Sequence, residues 1–425
     1  MENSTDIKIK FLGGTGEVGR SALALTSGDT TLLLDYGILL NREPEFPLHI
    51  SPKSLDGIVV SHAHLDHSGG VPIFYLRNNI PLYTTGLTFQ LSRILINDLI
   101  KLSGYYLPYE NSNLNQMARC VVYVNYGKEF RIGNFKLTFK EAGHIPGSFQ
   151  TVVKTNKFKS LVYTGDINLQ KTKLLNGADI DYGEVSCLIL EATYANEDHP
   201  DRSKLEEAFV ERVRSVVEAG GTVLVPAFSV GRSQEVLCIL ADHGFEYPVV
   251  MDGMALNVNE VMLSYPEYFR DYGLLRNALE NAKWVYRWKE RREAVNKPCV
   301  IVSPAGMLQG GAAAFYMGKV AKKKRNAIFL VSYQIPGTPG RKLLEEKKIF
   351  VNGKPVHVEA EVERFDFSSH AGRSDLEMLL KNVKGNPTVY LVHGSKENCQ
   401  NLAEWVRAEL GFEALAPSAG EVYKI

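Results

Sequence analysis

Short apolar runs that end in glycine turns alternate along the chain with stretches whose apolar residues recur at helical spacing, the pattern of an α/β protein. Ile7 to Leu12, Ser21 to Thr26 and Thr30 to Leu34 are strand-like, and Ser27-Gly28-Asp29 between the last two is a hairpin signature. Ile58-Val59-Val60, Phe135 to Lys140, Leu161-Val162-Tyr163 and Val389 to Val392 read as further strands. Leu91, Ile94, Leu95 and Leu99 give 87–102 the face of an amphipathic helix.

From about 199 to 360 the pattern becomes buried strand, glycine-rich loop and helix, three times over. Thr222 to Pro226 runs into 227–232 and a helix over 233–242. Cys299 to Val302 runs into 303–311 and a helix over 312–323, and Ala327 to Val331 into 332–341 and a helix over 342–347. Such a repeat predicts a parallel sheet whose loops gather at one edge. Helix N-termini and bare backbone N–H groups there favour anions. Ser229, Arg232, Ser303, Gly306, Gln309, Ser332 and Arg341 are therefore candidate phosphate contacts.

The 425 residues allow two or three domains, and 45% hydrophobic with 23% charged residues is ordinary globular composition. No stretch reads as membrane-spanning, and Met1 to Asp6 lacks the basic flank and apolar core of a signal peptide, so the expected compartment is the cytoplasm. Five dispersed cysteines in mostly apolar runs read as reduced, buried thiols. With 48 basic and 48 acidic residues the net charge says nothing about nucleic acid. Two local clusters, Arg287, Lys289, Arg291 and Arg292, and Lys319 with 322–325, are solvated helix faces or phosphate contacts.

His62-Ala63-His64-Leu65-Asp66-His67 changes the picture, because it packs four metal-binding side chains into six residues just after a strand. His62 and His64 point the same way on extended chain, whereas Asp66 and His67 fall where Ser68-Gly69-Gly70 lets the backbone turn. One metal can take the first pair and a second the other. Imidazole with carboxylate is the ligand set of hydrolytic zinc. The remaining ligands are available where other strands meet glycine: His144 in Glu141-Ala142-Gly143-His144, Asp166 in Thr164-Gly165-Asp166, and His393 in Val392-His393-Gly394. Gly14 to Gly19 matches a dinucleotide fingerprint, but a hairpin follows where a helix is required, so these are turn glycines.

Asp35, the 62–67 cluster, His144, Asp166 and His393 together resemble the ligand series of the metallo-β-lactamase fold. That resemblance implies one zinc on His62, His64, His144 and Asp166, and another on Asp66, His67, Asp166 and His393. Asp166 would bridge them, and Asp35 would orient a ligand histidine. Read alone, Asp35 is equally a strand-end turn residue. The domain-sized insert, with Glu191 in Leu190-Glu191-Ala192-Thr193-Tyr194, His370 in Ser369-His370-Ala371-Gly372 and His393 in the third motif, is similar to the β-CASP nucleases. A histidine at that third position resembles the RNA-specific members. Ala195 and Gly372 depart from residues frequent in the family, which touches loop detail more than ligands.

The fold implied is an αββα sandwich of residues 1–198 and 361–425, interrupted by a parallel α/β β-CASP domain over 199–360. The activity implied is hydrolysis of RNA phosphodiesters with two zinc ions. His370 would act as general acid for the O3′ leaving group, with Glu191 fixing its tautomer and raising its pKa. The similarity is to short archaeal members related to RNase J and to the polyadenylation cleavage factor. Starting about seven residues before its first strand and ending shortly after His393, the chain is expected to lack the N-terminal KH domains of one archaeal group and the C-terminal domain of bacterial RNase J. Single-stranded RNA degraded 5′ to 3′ is the expected substrate and direction, with endonuclease the alternative. A homodimer or larger RNA-processing complex is the expected assembly. A small-molecule hydrolase would use the same zincs without needing Glu191, His370 or the insert, and a non-catalytic RNA-binding subunit would not need every ligand position filled.

Overall fold

The computed structural model describes residues 7–40, 43–155, 160–308, 310–334, 337–351 and 354–425. It divides into two compact units, one of Met1–Lys171, Asn176–Asp198 and Ser369–Ile425, the other of Thr172–Leu175 and His199–Ser368.

The first unit holds two seven-stranded sheets. One runs in the order Val422–Lys424, Ile7–Gly13, Ala22–Ser27, Thr30–Leu34, Gly57–Val59, Leu82–Thr84, Val121–Tyr123. The other runs Ala414–Leu415, Lys384–Val392, Glu184–Glu191, Leu161–Tyr163, Phe149–Lys154, Phe135–Glu141, Glu129–Ile132. Alternation decides how they pack. Ile7, Ile9, Phe11, Leu32 and Leu34 face Phe135, Leu137, Phe139, Phe149, Tyr163 and Ile189 in one buried cluster between the sheets. Leu33, Ile58 and Val60 point the other way, onto Phe89, Ile96, Leu114 and Met117 of helices Gly86–Ser103 and Asn111–Ala118. On the far side Leu188, Leu190, Val389 and Leu391 pack under Leu376, Leu379 and Leu402 of helices Arg373–Asn382 and Lys396–Trp405. The result is the expected four-layer αββα sandwich.

The glycines at 14–19 lie between two antiparallel strands, Ile7–Gly13 and Ala22–Ser27, with no helix following. Gly14 and Gly16 take φ of +70° and +67°, a region that is cheap only for glycine.

The second unit is built on a six-stranded sheet in the order Lys283–Val285, Val249–Asp252, Cys299–Ser303, Thr222–Pro226, Ala327–Leu330, Glu361–Arg364. Every pairing in it is parallel. Its central strands are buried on both faces, with Val223, Val225, Val302 and Phe329 in one cluster and Leu224, Ile301 and Ile328 in another. This is why they read as unbroken apolar runs. The three anticipated helices cover Arg232–Asp242, Gly311–Val320 and Pro339–Glu346. The second ends three residues earlier than expected, because Ala321 caps it and Lys322 to Arg325 form the turn into the next strand. No helix among the described residues is long and apolar enough to cross a membrane. All five cysteines are free, and four are buried.

Candidate metal centre

In the first unit, Thr30–Leu34 runs parallel to Gly57–Val59, and Leu161–Tyr163, Glu184–Glu191 and Lys384–Val392 run parallel to one another. Their carboxyl ends therefore gather at one edge, and Asp35, His62, Asp166, Glu191 and His393 sit on those ends or just beyond them. His144 arrives from Phe135–Glu141, which points the same way through two antiparallel pairings. The expectation for Asp66 and His67 was a turn. They instead lie on a single helical turn, Leu65–Ser68, with His64 as its N-cap. This turn packs so tightly on Gly37 that a Cβ there would sit 1.7 Å from the Asp66 carbonyl oxygen.

Two sets of four ligand atoms converge: His62, His64, His144 and Asp166, and Asp66, His67, Asp166 and His393. Within each set the atoms lie within 4.8 Å of one another, and Asp166 is common to both. Asp166 Oδ2 is 3.4 Å from His62 Nε2 and 3.5 Å from His144 Nε2, while Oδ1 is 3.1 Å from His67 Nε2 and from His393 Nδ1. His62 Nε2 and Asp166 Oδ1 are buried with no hydrogen-bond partner among the described residues. Buried polar atoms aimed at one another without such partners are costly unless a cation lies between them, so the donor set fits a pair of metal ions.

The outward ring nitrogens of three of the five histidines are held. His62 Nδ1 is 3.1 Å from Ser61 Oγ, His67 Nδ1 donates to Asp35 Oδ2 at 2.8 Å, and His144 Nδ1 donates to the Ser369 carbonyl at 2.7 Å. These bonds fix the tautomers that leave Nε2 as ligand. Burial keeps His62 and His144 well below the ordinary imidazole pKa and lowers His64 to about 4, so all three are neutral, the form a metal accepts. Burial also works against a charged His67, but Asp166 and Asp35 outweigh it and raise its pKa. A metal held at His67 Nε2 would compete with that proton.

Asp35 is fully buried at φ +54°. Its Oδ2 accepts from His67 Nδ1, from Ser61 Oγ at 2.7 Å and from Tyr163 OH at 2.8 Å, and its Oδ1 from the Ser61 amide at 2.7 Å. Asp35→Asn should keep the shape but lose the charge that holds His67, weakening metal affinity by roughly 10- to 100-fold. Competition with a chelator measures this, and unchanged affinity would show that Asp35 is merely a turn residue.

Glu191 and His370 meet beside this cluster. His370 Nδ1 lies 2.9 and 3.1 Å from the two Glu191 oxygens, Oε1 of which also accepts from the Ile167 amide at 2.8 Å. The His370 ring is 4.6 Å from that of His144. Burial disfavours its charged form, but Glu191, assisted by Asp166 and Asp66, raises its pKa to about 9.

Several residues of the site carried no sequence signal. Ser61 and Tyr163 complete the Asp35 network, Ser369 acts through its carbonyl, and Thr193 Oγ1 donates to the His393 carbonyl at 2.9 Å. Gly14 accepts from the His393 amide at 2.6 Å, which gives the glycine-rich turn its place in the site.

In the second unit, Ser229, Ser303 and Ser332 lie at the carboxyl ends of adjacent strands, as the repeat predicts, and all three are buried. The Ser303 hydroxyl donates to Pro304 O at 3.2 Å, and Ser332 Oγ has no hydrogen-bond partner among the described residues. Gln334, which sequence patterns did not single out, ties the loops by donating to Gly306 O at 3.1 Å and to Ser332 O at 3.0 Å. Arg232 is buried, and Arg341 pairs with Glu345 on its own helix at 2.6 Å. Gln309 lies outside the described residues.

Residues 233–343 match the model of the Beta-Casp domain, and residues 355–417 that of the Zn-dependent metallo-hydrolase RNA specificity domain. Residues 14–190 match the model of the anti-Pycsar protein Apyc1. The chain is 43% identical over 418 residues to RNase aCSPSF2 of Saccharolobus solfataricus, covering 97% of this chain and 84% of the relative. It is 35% identical over 431 residues to the probable RNase MJ4 of Methanocaldococcus jannaschii, covering 99% and 100%. A crystal structure of a protein of unknown function from Enterococcus faecalis V583 shares the fold, with a TM-score of 0.61 at 14% identity over 99% of this chain and all of that one.

Proposed function

The chain belongs to the β-CASP ribonucleases of the metallo-β-lactamase fold, which are metal-dependent hydrolases of RNA, and from that premise we propose that it holds two zinc ions and degrades single-stranded RNA from the 5′ end. One observation carries the assignment of roles: the hydrogen bond between His370 Nδ1 and Glu191, beside two four-residue ligand sets that include neither residue, although the pair also gathers with Asp166 as a smaller third group.

His62, His64, His144 and Asp166 would hold one ion, and Asp66, His67, Asp166 and His393 the other. Zinc at those positions would supply Lewis acidity toward the phosphate and lower the pKa of water toward neutrality. In-line attack by hydroxide, a water whose proton has gone to solvent, forms the new P–O bond, breaks the P–O3′ bond and leaves a 5′-phosphate and an O3′ alkoxide. The alkoxide is a poor leaving group and takes a proton from His370 Nε2. Glu191 holds the ring by Nδ1, keeps the imidazolium populated before transfer, and is itself held by the Ile167 amide. Asp35 keeps His67 in the orientation that serves the centre.

Polarity is supported by the loops at the carboxyl edge of the second unit. Helices Arg232–Asp242 and Gly311–Val320 start from Gly231 and Gly310, caps that offer no side chain; the Ser233 and Ala313 amides are taken by the carbonyls of Phe228 and Pro304, so what these ends offer an anion such as a terminal phosphate is their dipoles. One RNA prepared with a 5′-monophosphate, a 5′-triphosphate or a 5′-hydroxyl and labelled at its 3′ end tests this. Progressive shortening of labelled RNA, fastest from the monophosphate, is expected. Fixed internal fragments, also released from circular RNA, would make the enzyme an endonuclease.

A further inference from the structure

Among the described residues of the second unit, four large hydrophobic side chains are exposed: Phe228 at 38%, Tyr286 at 63%, Trp288 at 59% and Tyr333 at 38%. All four are aromatic. All four also follow the carboxyl end of a strand of the parallel sheet: Phe228 after Thr222–Pro226, Tyr286 and Trp288 after Lys283–Val285, and Tyr333 after Ala327–Leu330. Chance exposure would scatter such residues over both edges and the helical faces. Here they share one edge.

That edge is also cationic. Arg287, Lys289 and Arg292 are exposed around the first pair of rings, and their side chains form no ion pair among the described residues. The Arg291 guanidinium lies 4.8 Å from the Trp288 ring centre while donating to buried Asp252 at 2.6 and 2.8 Å, and Arg364 lies 5.9 Å from the Tyr333 ring centre. Of the acidic groups present, Asp252 is held by Arg291 and Tyr316, Glu290 by the amides of Tyr286 and Arg287, and Asp366 by Arg364, while exposed Glu260 lies near Tyr286, whose phenol pKa is raised by burial and by that carboxylate. The other basic cluster, Lys322 to Arg325, lies in the turn before Ala327–Leu330, at the opposite edge, where no large hydrophobic side chain is exposed among the described residues.

We propose that this edge is a stacking platform for unpaired RNA bases, with Tyr286 and Trp288 as one station, Phe228 and Tyr333 as a second, and Arg287, Lys289 and Arg292 on the phosphates. Aromatic rings interleaved with unpaired cations are what a single strand requires, since every base has a face to stack and every linkage a charge to meet. At about 4.8 Å between strands the two stations are roughly 15–20 Å apart, a span of a few nucleotides. Recognition of this kind tolerates any sequence and rejects a duplex, whose bases are already stacked. The inference rests on the ribonuclease reading and adds to it how the strand is held.

The test uses the full chain carrying His370→Ala, to slow cleavage, and follows the anisotropy of a labelled mixed-sequence single-stranded RNA whose integrity is checked at the end of each titration. Trp288→Ala and Tyr286→Ala should each weaken binding by about 5- to 100-fold. Trp288→Phe should restore most of the loss, and Lys323→Ala at the opposite edge should change little. Arg287→Ala and Lys289→Ala should each reduce the salt dependence of binding by about one counterion. Unaltered affinity in the Tyr286→Ala, Trp288→Ala double variant would overturn the platform, as would a change in oligomeric state without a change in RNA affinity, which would make the edge a protein contact. Neither result touches the ribonuclease reading, which fails only if the wild-type chain, loaded with metal, does not cut RNA.

Discussion

Asp166→Ala should empty both metal positions and lower RNA cleavage by at least roughly 10⁴-fold, since each ion is worth several kcal/mol of charge stabilisation and a factor of ten in rate is about 1.4 kcal/mol. Asp166 is the residue shared by both ligand sets, and each of its oxygens faces two imidazoles at 3.1 to 3.5 Å. Removing it leaves five histidines and Asp66 around a buried centre without its bridging carboxylate. Asp66→Ala makes the sharper comparison, because Asp66 belongs to one set and its side chain is 30% exposed. It should lose one ion and retain the other. Elemental analysis beside a cleavage assay reads both, and an Asp166→Ala protein that keeps two ions would show that the bridge has been placed on the wrong residue.

His370→Ala should keep both ions and the fold yet slow cleavage by about 10²- to 10⁴-fold. An RNA whose O3′ is replaced by sulfur should recover much of that loss, because a thiolate leaves without a proton. Equal slowing on both substrates would mean that His370 positions the RNA and is not the acid. The pH profile gives a second reading. A general acid must be protonated, and with its pKa raised to about 9 His370 is charged at neutral pH. Activity should therefore fall as pH rises through the basic limb, and Glu191→Gln should move that limb to lower pH. Bound cations offset the share contributed by Asp166 and Asp66, so the wild-type limb should sit somewhat below 9.

The ligand series was legible because it is written in side chains at strand ends, where an apolar run stops and a His or Asp follows. Asp35 shows the limit. Its position after Leu34 marks a strand end, but its partners come from two other segments, Ser61 and His67 from the connection after Gly57–Val59 and Tyr163 from the other sheet, and they meet only when two sheets stack. Ser369 and Gly14 act through the backbone and leave no trace in residue type. The two basic clusters looked alike in sequence and lie on opposite edges of one sheet, because one follows its strand and the other precedes it. The helical turn at 65–68 was missed since four residues are too few for a period to show.

Asp66 and His393, 327 residues apart, have side-chain atoms 3.3 Å from each other. During synthesis the first ligands emerge long before the last. At about 5–20 residues per second the wait is on the order of 15 to 65 s, during which the second unit has been made in full. Until then the nascent chain carries all four residues of the first set and three of the second, lacking only His393. A chain stalled anywhere in the insert should therefore be unable to assemble the second ligand set, and with it the two-ion centre proposed to cut RNA.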